Sequence, residues 1–144
     1  MRMFDVNVLV HAFRPDAEQH EEFRTWLEQQ VAGPEAFGVC ESVLSGFIRV
    51  VTHPSVFDPP SGLADCLLAT QQIRDHPNCV ALRPGGRHWG IFSDLCRVTG
   101  SVGNAVADAY HAALAIEHGC EFMTTDKGFG RFPGLRWRHP LDRR

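Results

Sequence analysis

Residues 104–126 read NAVADAYHAALAIEHGCEFMTTD, and this stretch decides the fold. Alanine is the strongest helix former, so residues 104–118 are expected to be helical, with Gly119 as a natural residue to end the helix. Glu121–Thr124 then reads as a short apolar strand. The same alternation extends towards both ends of the chain. Upstream, strands are expected at Met3–Val6, Ala36–Val39 and Cys79–Leu82. Helices are expected at Ala17–Val31, about Cys40 to Thr52, Leu63–Asp75 and His88–Thr99. The helix at Ala17–Val31 places Phe23, Trp26, Leu27 and Val31 at helical spacing, and Gly33-Pro34 ends it. Pro- and Gly-rich breaks at 53–54, 58–62, 84–86 and 100–103 separate the elements, and Leu135–Arg138 is a fifth strand candidate. Alternation of this kind predicts one α/β domain spanning 1–144, with a mostly parallel sheet of about five strands covered on both faces.

Asp108 stands alone as an acid in the Ala-rich run, and three other acids share that isolation. Asp5 interrupts an apolar strand, Glu41 opens an apolar helix, and Asp126 directly follows Phe122-Met123-Thr124-Thr125. Carboxylates are rarely buried unless paired, hydrogen-bonded or bound to a cation. In parallel α/β sheets, ligands bind beyond the carboxyl ends of the strands. Asp5 and Asp126 sit at or just after expected strand ends, while Glu41 and Asp108 lie near helix starts, so all four are expected to converge at that edge.

Composition restricts the class of protein. A chain of 144 residues that is 44% hydrophobic and 22% charged is that of a folded protein. Its formal charge of −3 gives no global basic signature. The stretch from Lys127 to Arg144, however, carries Lys127, Arg131, Arg136, Arg138, Arg143 and Arg144 against the single acid Asp142. Five cysteines without a C-x-x-C pair suit free thiols in a reducing compartment and argue against a disulfide framework or a zinc site. Asp5 and Asn7 break any signal-peptide core, and no apolar run reaches the ~18–20 residues of a membrane span. A cytoplasmic location is expected.

Four converging carboxylates repel one another. Two unit charges ~4 Å apart cost about 1 kcal/mol in bulk water and roughly 4 kcal/mol at an effective dielectric of 20. A divalent cation removes that conflict, and oxygen-only ligation selects Mg²⁺, or Mn²⁺ as a substitute, over zinc. Such an ion activates water and stabilises in-line phosphoryl transfer, which makes a phosphodiester the natural substrate. Arg87, Lys127 and Arg131 are candidate contacts to its phosphates, with the basic C-terminal segment beside the acids.

The motifs Asp5-Val6-Asn7, Glu41 before an apolar helix, Asn104…Asp108-Ala109, and Thr124-Thr125-Asp126-Lys127-Gly128-Phe129 resemble, in order and spacing, a PIN-domain ribonuclease. The similarity spans nearly the whole chain and is greatest to the VapC-type toxins of bacterial toxin–antitoxin pairs. It implies a three-layer α/β/α fold, Mg²⁺-dependent cleavage of RNA, a homodimer, and inhibition by a small cognate antitoxin. By the same resemblance Asp5, Glu41, Asp108 and Asp126 form the catalytic, metal-binding quartet, with Asn7 and Thr125 as supporting polar residues. The chain departs from the pattern at Gly128, where many relatives carry a further acid. That difference bears on a second metal site and not on the first.

Each acid also has a plainer reading. Asp5 could cap a short helix beginning near Asn7, Glu41 could serve the helix dipole, and Asp126 could be a turn residue. Asn104 is read as a helix cap, and Phe129, Phe132 and Trp137 as packing residues. Two other functions use the same residues. One is a metal-dependent phosphatase or phosphotransferase, although Asn7 denies it a D-x-D nucleophile pair. The other is a catalytically silent PIN-fold module that binds RNA or antitoxin.

Overall fold

The structure, a computed structural model, describes residues 1–143, so Arg144 of the basic segment lies outside the described residues. Five short strands, β1 (Arg2–Phe4), β2 (Phe37–Val39), β3 (Cys79–Ala81), β4 (Glu121–Met123) and β5 (Trp137–Arg138), form one sheet in the order β3-β2-β1-β4-β5. All four neighbouring pairs run parallel. Burial explains the composition of the central strands: Met3, Phe4 and Phe122 are fully buried and Met123 nearly so, as expected where helices cover both faces. Gly38 in β2 is needed for close approach, since a Cβ there would meet Leu82 Cγ at 2.9 Å.

The connecting helices are α1 (Val6–Phe13), α2 (His20–Ala32), α3 (Glu41–Val51), α4 (Leu63–Asp75), α5 (His88–Thr99) and α6 (Asn104–Glu117). From β1 to β2 to β3 the chain steps one way across the sheet, and from β3 it returns past β1 to β4. Right-handed crossovers therefore place α1–α4 on one face and α5–α6 on the other. The two groups pack as units, α5 against α6 and α1 against α2 and α3. In α6, Ala109, Ala112, Ala113, Leu114 and Ala115 are fully buried. Small side chains let this helix lie close on the sheet.

Most expected elements form within a residue or two of the expected bounds, and α4 and α5 coincide with them. Two differ. The first strand ends at Phe4, and Val6, expected in it, opens α1. Apolar Val6, Val8, Leu9 and Val10 extend the strand by hydropathy alone, whereas the Asp5 side chain accepts from the Val6 N–H and turns the chain into a helix. Residues 127–131, not assigned to any element from sequence, form a short 3-10 helix. The expected helix at Ala17–Val31 begins only at His20, because Gln19 takes a left-handed conformation with φ of 54°.

Winding reverses between β1 and β4, so this strand pair is the topological switch point, where an open parallel sheet leaves a crevice at the carboxyl ends. Phe4 pairs with Met123 in register. Asp5 and the 124–126 segment therefore emerge side by side.

Candidate active site

A cleft of about 370 Å³ opens at the switch point, and Asp5, Asn7, Asp108 and Asp126 line it together with Arg49 and His111. Asp5 is the most constrained of its acids. Its N–H donates to Met123 O at 3.0 Å, and its Oδ1 accepts from Val6 N–H at 2.7 Å. Oδ2 accepts from Thr124 Oγ1 at 2.7 Å and from Asn7 Nδ2 at 3.1 Å. Thr124, fully buried, is the hub: its hydroxyl also accepts from Asp126 N–H at 3.1 Å and from Asn7 Nδ2 at 3.2 Å. Asn7 Oδ1 in turn accepts from the Thr125 N–H at 3.1 Å. Thus β1, α1 and the segment after β4 are cross-linked around one carboxylate.

Asp108 projects from the first turns of α6, one helical turn from Asn104 on one side and from His111 on the other, so all three face the cleft. Arg131 of the 3-10 helix donates through Nη2 to Asp108 Oδ2 at 3.2 Å. Asp126 caps that 3-10 helix, its Oδ1 accepting from Gly128 N–H at 2.8 Å. For Asp5 and Asp126 the capping role and a place in the cleft coexist.

Charge is poorly balanced here. Burial, with Asp108 and Asp126 nearby, pushes the Asp5 carboxyl up to about 6, against the pull of its Thr124 and Val6 hydrogen bonds. Burial also raises Asp108, partly offset by Arg131. Burial, helped by His88, lowers His111 to about 4, so its ring is neutral at pH 7. That ring shares a 2.9 Å hydrogen bond between Nε2 and Ser42 Oγ.

The fourth expected acid stands apart. Glu41 is the first residue of α3, but its carboxylate turns towards α4, pairs with Arg74 Nη1 at 3.2 Å, and is 67% exposed. It borders a separate small pocket with Arg74 and Arg83, away from Asp5, Asp108 and Asp126. The first turn of α3 instead presents Ser42 to the cleft-lining His111. Of the four acids expected to converge, the structure brings Asp5, Asp108 and Asp126 to one cleft and directs Glu41 away from it.

Other assignments shift as well. Thr125 contributes its backbone N–H, and the buried hydroxyl comes from its neighbour Thr124. Arg87 is bonded to Glu117 O at the C-terminal end of α6, nine residues or about 14 Å along the helix from Asp108. It does not reach the cleft. Arg136 is tied to Gly119 O and Arg138 to Glu121, at the amino end of β4, so the basic segment as a whole does not flank the acids. Arg131 reaches the cleft through Asp108, and Lys127 follows Asp126 as the first residue of the 3-10 helix. Asn104, read as a cap, is the first helical residue, while Gly103 holds the cap position. Phe129 and Phe132 are core residues, as expected.

Sequence reasoning missed Thr124, Arg49 and His111. For Thr124 a signal existed, a hydroxyl directly after an apolar strand. For Arg49 and His111 nothing local distinguishes them from surface residues. A larger groove of about 470 Å³ between α1, α2, α3 and α4 is mainly apolar and contains none of the cleft acids.

The cleft offers carboxylate and amide oxygens beside the imidazoles of His11 and His111, with no thiol, and its carboxylates suit a hard divalent cation. Among the described residues no three His, Cys, Asp or Glu side chains are drawn together as a ready-made cage. Mg²⁺ does not require such a cage, since it keeps several waters and needs only one or two protein carboxylates. Asp5 and Asp108 are the cleft acids whose carboxyls are raised, chiefly by burial and further by neighbouring carboxylates. The residues present fit such an ion.

A family model described as PIN domain matches residues 2–135. The chain is 44% identical over 142 residues to the protein named VapC ribonuclease Mb2897 from Mycobacterium bovis, covering 99% of this chain and 97% of the relative. Among solved structures, the chain resembles one in a complex of VapBC2 from Rickettsia felis bound to a promoter DNA fragment, with a TM-score of 0.67, 16% identity, and coverage of 96% of this chain and 97% of the other. A toxin–antitoxin complex from Klebsiella pneumoniae contains another similar chain, at a TM-score of 0.65 and 17% identity, covering 99% of each.

Proposed function

The chain belongs to the PIN-domain family, and we propose that it is a divalent-cation-dependent endoribonuclease, the toxin of a toxin–antitoxin pair, acting as one nuclease domain. A single observation carries this reading: three carboxylates from three parts of the chain line one switch-point cleft, with Arg131 as the basic side chain ion-paired to them among the described residues. The near full-length relative named as a ribonuclease supports RNA as substrate. The similar chain in a toxin–antitoxin complex supports a small antitoxin as partner.

Asp5 and Asp108 would hold Mg²⁺, or Mn²⁺ in its place, with Asp126 completing the pocket directly or through water. Bound there, the cation supplies an activated water and charge stabilisation for displacement at phosphorus. The chain's own residues prepare that chemistry. Thr124 and Asn7 fix the orientation of the Asp5 carboxylate, so nothing need reorganise during reaction. Arg49, Lys127 and Arg131 meet RNA phosphates at the cleft wall. A homodimer and a cytoplasmic location belong to the same proposal. Five free cysteines suit a reducing compartment, and no helix among the described residues is long and apolar enough to cross a membrane.

Asp108→Asn is expected to fold normally by circular dichroism and to lose RNA cleavage. Chelation by EDTA should stop the wild-type reaction, and Mg²⁺ or Mn²⁺ should restore it. A variant that still cuts at the wild-type rate would overturn the assignment.

One observation favours a second reading, a module that binds RNA or antitoxin without cutting: Glu41 faces away from the other acids. Growth arrest on expression, lost in Asp5→Ala, would count against it.

A further inference from the structure

The Arg131–Asp108 contact is a charge pair inside the cleft that the reading above does not explain. Asp108 Oδ2 is occupied by a guanidinium at 3.2 Å, on the oxygen-rich side where a cation would be held. Three features build the position. Arg131 Nη1 donates to Gly128 O at 2.5 Å. Its guanidinium carbon lies 4.3 Å from the centre of the buried Phe132 ring, a cation–π shelf. A Cβ at Gly128 would come within 2.9 Å of both Arg131 Nη1 and Asp126 Oδ1, so glycine is what leaves room for the arginine and the cap together. Both partners are 34% exposed, and ion pairs of that kind are weak and readily exchanged.

We propose that Arg131 is an exchangeable counter-ion: it neutralises Asp108 in the free protein, then releases that carboxylate to a divalent cation and turns to an RNA phosphate. This rests on the metal-dependent nuclease reading and adds to it a coupling between metal and substrate. A planar guanidinium serves both partners, since carboxylate and phosphate present similar paired oxygens. Phe132 keeps the group in place during the exchange, because stacking leaves the N–H edge free. Removing the guanidinium should therefore have opposite effects on the two ligands. Cations would meet less competition at Asp108, and RNA would lose a phosphate contact. Linkage requires that RNA tighten cation binding in the wild type, and that this coupling shrink without Arg131.

The test uses the full chain with Mn²⁺ as probe, followed by electron paramagnetic resonance, with and without an RNA oligonucleotide whose bridging ester oxygens are replaced by methylene, which a water nucleophile cannot cleave. Arg131→Gln should bind Mn²⁺ roughly two- to five-fold more tightly than wild type when no oligonucleotide is present, matching the worth of an exposed ion pair. It should bind the oligonucleotide more weakly, and the oligonucleotide-induced gain in Mn²⁺ affinity should fall. Arg131→Lys, which keeps the charge without the paired N–H edge, should retain the competition and lose part of the coupling. Mn²⁺ affinity in Arg131→Gln equal to or weaker than wild type would overturn the proposal. Asp108→Asn is the control: if it binds Mn²⁺ as wild type does, the metal reading itself fails. If it loses Mn²⁺ while Arg131→Gln behaves as wild type, only the exchange fails.

Discussion

At the scale of single residues, Thr124 shows how a site can rest on one hydroxyl. It donates to Asp5 and accepts from two further donors, so the near-isosteric Thr124→Val leaves the Asp126 N–H and part of Asn7 without a partner. Such losses cost about 1–3 kcal/mol for a buried group. Chemical denaturation should show a loss of that size, and cleavage should fall because the Asp5 carboxylate is no longer held. A loss confined to stability would mean that orientation of Asp5 is unimportant. Glu41 makes the contrasting case. Its exposed pair with Arg74 is worth little, and Glu41→Gln is expected to reduce cleavage far less than Asp108→Asn. Equal losses in initial-rate assays would mean that Glu41 leaves Arg74 to join the cleft.

At the scale of elements, α6 carries the clearest division of labour. Its amino-terminal turns bear Asn104, Asp108 and His111, its middle is buried alanine, and its end is closed by Gly119 at a φ of 66°. No neighbouring atom would obstruct a Cβ at Gly119, so Gly119→Ala meets only the cost of a left-handed backbone, roughly 1–2 kcal/mol. Thermal unfolding should show that loss while cleavage per folded molecule stays unchanged, since the cleft lies at the other end of the helix. The helix was legible because alanine is so biased towards it. By contrast, α1 was not, because Val6-x-Val8-Leu9-Val10 suits a buried strand and a buried helix equally well. Only the Asp5 cap and the pairing of β1 with β4 set the boundary.

At the scale of the whole molecule, pH reports how α3 and α6 enclose His111. Burial lowers this imidazole to about 4, from an ordinary 6.5. The unfolded chain therefore takes up the proton first as pH falls. Stability linked to His111 is complete above pH ~6.5, and is lost as pH drops through 4, in total on the order of 3 kcal/mol. Asp5 acts in the opposite sense, because its raised value penalises the charged form as pH rises from 3.8 through about 6. The two therefore partly cancel in the wild type, and subtracting the pH–stability profile of His111→Asn isolates the histidine. A flat difference between pH 4 and 6.5 would show that the ring is solvated and not enclosed.

Composition and periodicity alone determined the α/β alternation, the free thiols and the isolation of Asp5, Glu41, Asp108 and Asp126, because helix propensity and burial are properties of short stretches. The resemblance of the motifs to PIN-domain ribonucleases was equally legible there. Which groups meet was decided in three dimensions. The reversal of winding between β1 and β4 brought Thr124 to Asp5, and the packing of α3 on α4 turned Glu41 towards Arg74. The 3-10 turn at Lys127–Arg131 carried Arg131 to Asp108. Each of these contacts joins residues far apart in the chain or turns on one side-chain direction, and no local pattern encodes either.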